Sequence, residues 1–230
     1  MNQTANGMQT KVLLNFLLEY ITPERKAKFD KVLSNRTRHI TIVLEDIFQP
    51  HNASAVLRSC DLTGIQDVHI IENQYEYDIN PDVVVGSTKW LNLHKYNSTK
   101  FNTPDAYESL RKKGYRIVAT SPHESGYTPE NLPLDQPVAL VFGTEKTGLS
   151  EQALAQADAF VRIPMVGFTE SYNISVSAAL LLYTLTNRLR LKDFSWPLTE
   201  TERDELMLQW CRNTIKRVGV LEETFWKRLA

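Results

Sequence analysis

The stretch Ile163-Pro164-Met165-Val166-Gly167-Phe168-Thr169-Glu170-Ser171-Tyr172-Asn173-Ile174-Ser175-Val176-Ser177 is a polar, glycine-bearing loop set between two apolar segments. Before it, residues 158–165 alternate like a strand ending at Pro164, which has no N–H to offer a sheet, and Gly167 permits a sharp turn. After it, Ala178-Ala179-Leu180-Leu181-Leu182 reads as a buried helix. A helix start needs one capping side chain, and Ser171, Asn173 and Ser175 crowd three into the approach. Function is expected in this loop.

Outward from it, the chain alternates strands and helices. His39 to Leu44 is a β-branched run typical of a strand covered on both faces. Asn52 is expected to cap a helix that carries Ala55, Val56 and Arg58 and stops at Gly64; Asp67 to Ile71 is a second strand. Residues 72–87 show no period and are expected to form a mobile loop. Strand character returns at 90–96, 116–121 and 137–142, with helices at 104–113 and after Ser150. The pattern predicts an α/β fold with a mainly parallel sheet and helices on both faces. Thr22-Pro23-Glu24 marks a helix start near the amino terminus, and 199–230 resumes helical spacing. Three parts are expected: a basic helical arm over 1–38, the α/β domain over 39–192 and a helical extension over 193–230.

The 230 residues carry a net charge of -1, distributed unevenly. Basic against acidic residues number 7 to 3 over 1–39, 10 to 17 over 40–187 and 9 to 7 over 188–230. Basic ends suit contact with a polyanion, since lysine and arginine supply sequence-independent affinity for phosphate; an ordinary solvated helix face is the alternative. The candidate RNA-facing residues are Arg25, Lys26, Lys28, Arg36 and Arg38. Cys60 and Cys211 form no CxxC pair, which argues against a disulfide framework or a metal site and for a reducing cytoplasm. The longest apolar run, 174–185, is too short to span a bilayer, so no membrane association is expected.

None of the nine glycines are spaced as GxG, which removes the dinucleotide fingerprint, the Walker loop and the glycine-rich loop of ordinary Rossmann methyltransferases. Three polar loops remain, each at the carboxyl end of an expected strand, where open α/β sheets bind ligands. They contain Asn52-x-x-Ala55-x-x-Arg58, Phe142-Gly143-x-Glu145-x-x-Gly148, and Ile163-Pro164-Met165-x-Gly167-x-x-x-Ser171-x-Asn173-x-Ser175.

In that order and spacing, the three resemble the motifs of the SPOUT 2'-O-ribose RNA methyltransferases. Pro50-His51-Asn52, Gly86-Ser87-x-Lys89-Trp90 and the basic helix after Pro23 resemble its TrmH-type branch, which acts on guanosine 18 of the tRNA D-loop. The resemblance covers roughly residues 20 to 215. It implies S-adenosylmethionine held bent by a carboxy-terminal trefoil knot, in a homodimer with active sites at the subunit interface. By motif match, the backbone around Thr120, Gly143, Ile163 and Tyr172 cradles the cofactor, and Asn52, Arg58, Glu145, Ser171 and Asn173 form the catalytic set. Two positions depart from the family: Thr184, often glutamate there, and Tyr172, often aliphatic. For Arg58 the resemblance leaves two roles open, a phosphate clamp or a general base. Two rival functions are methylation of ribosomal RNA, since the motifs are shared, and RNA binding without catalysis.

Overall fold

The computed structural model describes residues 2–75, 86, 88–144, 146–193 and 196–229, with the side chains of 2–6 excepted. The chain forms two compact units: residues 37–196, and a second built from 1–36 together with 197–230. The two ends, read from the sequence as separate extensions, therefore share one unit.

Six parallel strands make the sheet of the larger unit: β1 Ile40–Glu45, β2 Asp67–Ile71, β3 Asn92–Tyr96, β4 Arg116–Thr120, β5 Val138–Phe142 and β6 Ala159–Val161, in spatial order β3-β2-β1-β5-β4-β6. Strand order reverses between β1 and β5, which are paired with Leu44 beside Phe142. β6 stops at Val161, short of the expected end at Pro164; Asp158, expected at its start, uses Oδ2 to accept the Ile117 N–H at 2.7 Å.

Alternation along the strands sends two side-chain sets to opposite faces. Ile40, Ile42, Leu44, Val138, Leu140 and Phe142 pack beneath α3 (Pro50–Thr63) and the long helix Ile174–Arg190, which contributes Ala178, Leu181, Leu182, Leu185 and Leu189. Val43, Ile117, Ala119, Ala139 and Val141 meet α4 (Thr103–Lys112) through Ala106, Tyr107 and Leu110, and α5 (Glu151–Ala155) through Ala153. The helix at 174–190 is α6. Helix ends follow local chemistry: Gly64 takes φ 89° to end α3, and Ser150 caps α5 by accepting the Ala153 N–H.

In the smaller unit, α1 (Asn2–Leu18) and α2 (Pro23–Leu33) pack with α7 (Glu200–Thr214) and α8 (Val218–Leu229). Thr22 caps α2 with proline at its first position, as the sequence indicates, and Thr199 and Glu202 form a capping box at α7. Phe29 meets the buried Trp210 edge to face, with centroids 5.5 Å apart. The helical spacing after 199 breaks at Ile215, which is extended, and at Arg217, which has φ 55°.

Candidate active site

Three loops at the carboxyl ends of the sheet build the site. β1 leads through 46–49 into α3. Gln49, not Asn52, caps this helix, because Pro50 occupies its first turn and starts it three residues early. Asn52 thereby falls inside the first turn, 4% exposed, where its Nδ2 donates to Gln49 Oε1 at 3.0 Å. Arg58 stands further along α3, exposed, with no hydrogen bond or ion pair among the described residues.

The loop after β5 doubles back on itself. Thr144 and Gly148 exchange backbone hydrogen bonds at 2.9 and 3.0 Å, and the Thr144 and Thr147 hydroxyls meet at 2.7 Å. Gly143 is dictated by this closure: a Cβ there would lie 2.2 Å from the Gly148 carbonyl group and 2.3 Å from the Leu149 nitrogen. Glu145 lies outside the described residues.

The loop after β6 runs to Asn173, the cap of α6, whose Oδ1 accepts the Ser175 N–H at 2.9 Å and the Ser175 hydroxyl at 2.5 Å. Its other atom is engaged too: Nδ2 donates to Asn52 Oδ1 at 3.1 Å. One asparagine thus caps its own helix and ties the third loop to the first.

The second and third of these loops, with the end of β4, line a cleft of about 500 Å³. Thr120, Gly143, Ile163 and Tyr172 line it, with Ser171 and Asn173; Asn52 and Arg58 are not in its lining. Its walls mix apolar side chains (Phe142, Leu149, Leu154, Leu181) with hydroxyls and open backbone, and its volume falls within the roughly 300–1,000 Å³ usual for cofactor sites. Such a lining fits S-adenosylmethionine, which has an adenine to bury and a polar amino-acid tail. Among the described residues no cluster could hold a metal ion.

Sequence reasoning missed several lining residues. His123 and Arg162 lie outside the three motifs, just past the ends of β4 and β6, while Lys146 and Glu170 fall at variable positions within two of them. Gln49 gave no signal, since its importance rests on a contact with Asn52.

The RNA-facing candidates divide. Arg25, Lys26 and Lys28 are exposed on α2. Arg36 requires correction: it is 1% exposed and its guanidinium packs over Trp210, 5.6 Å from the ring centre, so the fold takes it off the surface. Arg38 is partly committed, its Nε donating to Asp67 at 2.9 Å. That aspartate is buried, which opposes ionisation, but hydrogen bonds from His94 and Asn92 and the charge of Arg38 outweigh burial and bring its pKa down to about 2.

A parallel sheet with polar loops at its carboxyl edge, and no glycine-rich fingerprint among them, agrees with what the motif resemblance to the SPOUT RNA methyltransferases implies. Within that class the chain belongs to the SpoU rRNA Methylase family, which matches residues 39–183. It is 45% identical to the tRNA (guanosine(18)-2'-O)-methyltransferase of Borreliella burgdorferi over 91% of this chain and 94% of that one. Among solved structures, it resembles the A. aeolicus TrmH/SpoU tRNA modifying enzyme with TM-score 0.73 and 27% identity, covering 84% of this chain and 98% of the other. It also resembles the SpoU methyltransferase AviRb of Streptomyces viridochromogenes in complex with AdoMet, with TM-score 0.58 and 25% identity over 70% of this chain and 62% of that one.

Proposed function

We infer that this chain methylates the ribose 2'-hydroxyl of guanosine 18 in tRNA, using S-adenosylmethionine. The observation that carries this reading is the Asn173 to Asn52 hydrogen bond, which joins a residue of the cofactor-sized cleft to the helix that presents Arg58. The terminal unit favours tRNA over ribosomal RNA. The family match ends at 183, whereas the likeness to the Borreliella enzyme extends over 91% of the chain.

When bound, S-adenosylmethionine supplies an electrophilic methyl group. In this reading the backbone around Thr120, Gly143, Ile163 and Tyr172, which line the cleft, holds it. Arg58, exposed and uncommitted among the described residues, is assigned to the RNA phosphate beside the target ribose. A guanidinium keeps its proton to a pKa above about 12, so it serves better as a clamp that stabilises the developing oxyanion than as a base. Asn52 and Asn173 orient the approach, with Ser171 and Glu145 completing the catalytic set.

A second copy of the chain covers the outer face of α6 in this reading. Val176, Leu180 and Tyr183 are 43%, 42% and 68% exposed there, and Val166 and Phe168 of the preceding loop are fully exposed. Exposed apolar side chains gathered on one helix and its adjoining loop support this reading. The trefoil path of the chain into α6 belongs to the same reading. So does action in the cytoplasm, with Cys60 and Cys211 both buried, and no helix among the described residues long and apolar enough to cross a membrane.

The test is methyl transfer to a tRNA transcript with the product mapped by mass spectrometry. Methylation at guanosine 18, lost when that nucleotide carries a 2'-deoxyribose, supports the assignment; methylation of ribosomal RNA alone overturns it. Sedimentation at micromolar concentration checks the dimer, and an active monomer would remove the shared-site arrangement.

A further inference from the structure

Glu45 ends β1 one residue beyond Leu44, which is paired with Phe142, so it sits beside the mouth of the 143–149 loop. It points to the face of α4 and α5 and is 2% exposed. A buried carboxylate survives only when its oxygens are well satisfied. Three donors meet this one. The Thr103 hydroxyl donates to Oε1 at 2.5 Å, the Ser150 hydroxyl to the same oxygen at 2.9 Å, and the Ser150 N–H to Oε2 at 2.9 Å.

Ser150 is the residue at which the cleft loop ends. Its hydroxyl proton is directed to Glu45 while its oxygen accepts the Ala153 N–H at 3.1 Å, which leaves no rotational freedom to the side chain. Gly148 and Leu149, just before it, line the cleft. At its start the loop is held by β5 and by the crowding at Gly143; at its end it is held by Glu45, from the neighbouring strand.

We propose that Glu45 is a positioning residue for the cofactor, fixing the closing end of the 143–149 loop through Ser150 without touching the ligand itself. The proposal rests on the functional reading above for the identity of that ligand. The carboxylate is chemically required because all three partners are donors and an ionised carboxyl only accepts. A glutamine offers one accepting oxygen and turns an NH2 group toward a donor.

Glu45→Gln in the full chain tests this. S-adenosylmethionine affinity, measured by calorimetry, is expected to weaken about tenfold or more, the size of one lost charge-assisted hydrogen bond. Amide exchange at Gly148, Leu149 and Ser150 should quicken in the ligand-free protein. Thr103→Val removes a bond to the same carboxylate from α4, outside the loop; it should lower Tm and change affinity by less than about threefold. If Glu45→Gln does not fold, Ser150→Ala reads the same contact: it should weaken affinity and speed exchange, and Ser150→Thr should restore both. A folded Glu45→Gln with unchanged affinity and unchanged exchange overturns the proposal, as does Thr103→Val weakening binding equally, which would make the network a general support of the fold. A wild-type chain that fails to bind S-adenosylmethionine would count against the functional reading, whereas loop exchange still decides the role of Glu45.

Discussion

Asn173 at the head of α6 donates from Nδ2 to Oδ1 of Asn52 in the first turn of α3, 3.1 Å away across 121 residues of chain. Each partner has a further bond, Asn52 to Gln49 and Asn173 to Ser175, so the pair is fixed from both sides. Asn52→Ala and Asn173→Ala are each expected to slow methyl transfer by roughly 100-fold, and the double variant should be little worse than the weaker single one, because both break one unit. Cofactor calorimetry separates them: Asn173→Ala, in the cleft wall, should lose affinity, and Asn52→Ala should nearly retain it.

Arg58→Ala should abolish methyl transfer, by about 1,000-fold or more, while S-adenosylmethionine affinity stays within about threefold, since Arg58 is outside the cleft lining. Arg58→Lys should remain poor because a lysine cannot make the bidentate grip. Incorporation of a labelled methyl group beside calorimetry checks both; loss of cofactor affinity in Arg58→Ala would move this residue into the cofactor site.

Gly143→Ala places a methyl group 2.2 Å from the backbone of Gly148, so the loop must open or shift. The expected cost is about 2 kcal/mol or more in stability, with loss of cofactor binding. A variant that binds as well as wild type would show that the loop closes differently in solution.

Stability should fall with acid in two stages. Burial, with the charges of His94 and Lys113 adding to it, pushes the His69 pKa down to about 3, so below pH 6.5 the unfolded chain takes up a proton that the folded chain refuses. Folding free energy then drops by up to about 1.4 kcal/mol per pH unit from this group between pH 6.5 and 3. Asp67, with its pKa lowered from 3.8 to about 2, contributes stability above pH 3.8 that is lost as pH falls through 2. Denaturant unfolding of wild type and His69→Gln across pH 4 to 7 reads the first stage, and the variant should show the flatter profile.

Replacing Arg25, Lys26 and Lys28 with alanine should weaken tRNA binding and flatten its salt dependence, by up to about one counterion for each phosphate no longer neutralised. Arg36→Ala should act differently, lowering Tm and leaving the salt slope unchanged, because its guanidinium is packed on Trp210. Binding measured over a salt series distinguishes the two sets; an unchanged slope in the triple variant would assign α2 to solvent.

Features carried by neighbouring residues were legible in the sequence. The β-branched run at 39–44 became a strand buried on both faces, Thr22-Pro23 started α2 and Gly64 ended α3. Each depends on hydrogen bonds or backbone angles within a few positions, so residue type and spacing suffice. The three motifs were legible for the same reason, as short segments of fixed spacing.

What the tertiary structure decided involves partners distant in sequence. The Asn173 to Asn52 contact, the burial of Arg36 under Trp210, the joining of 1–36 with 197–230 and the convergence of Ser150 on Glu45 have no periodic trace. An arginine at position 36 carries the same charge whether solvated or stacked, and which of the two occurs depends on where a helix more than 170 residues later comes to rest. The sequence by itself determined the elements and the kind of chemistry at their ends; packing of sheet and helices determined which of those chemical groups meet, because side-chain contacts between remote segments exist only once the core has closed.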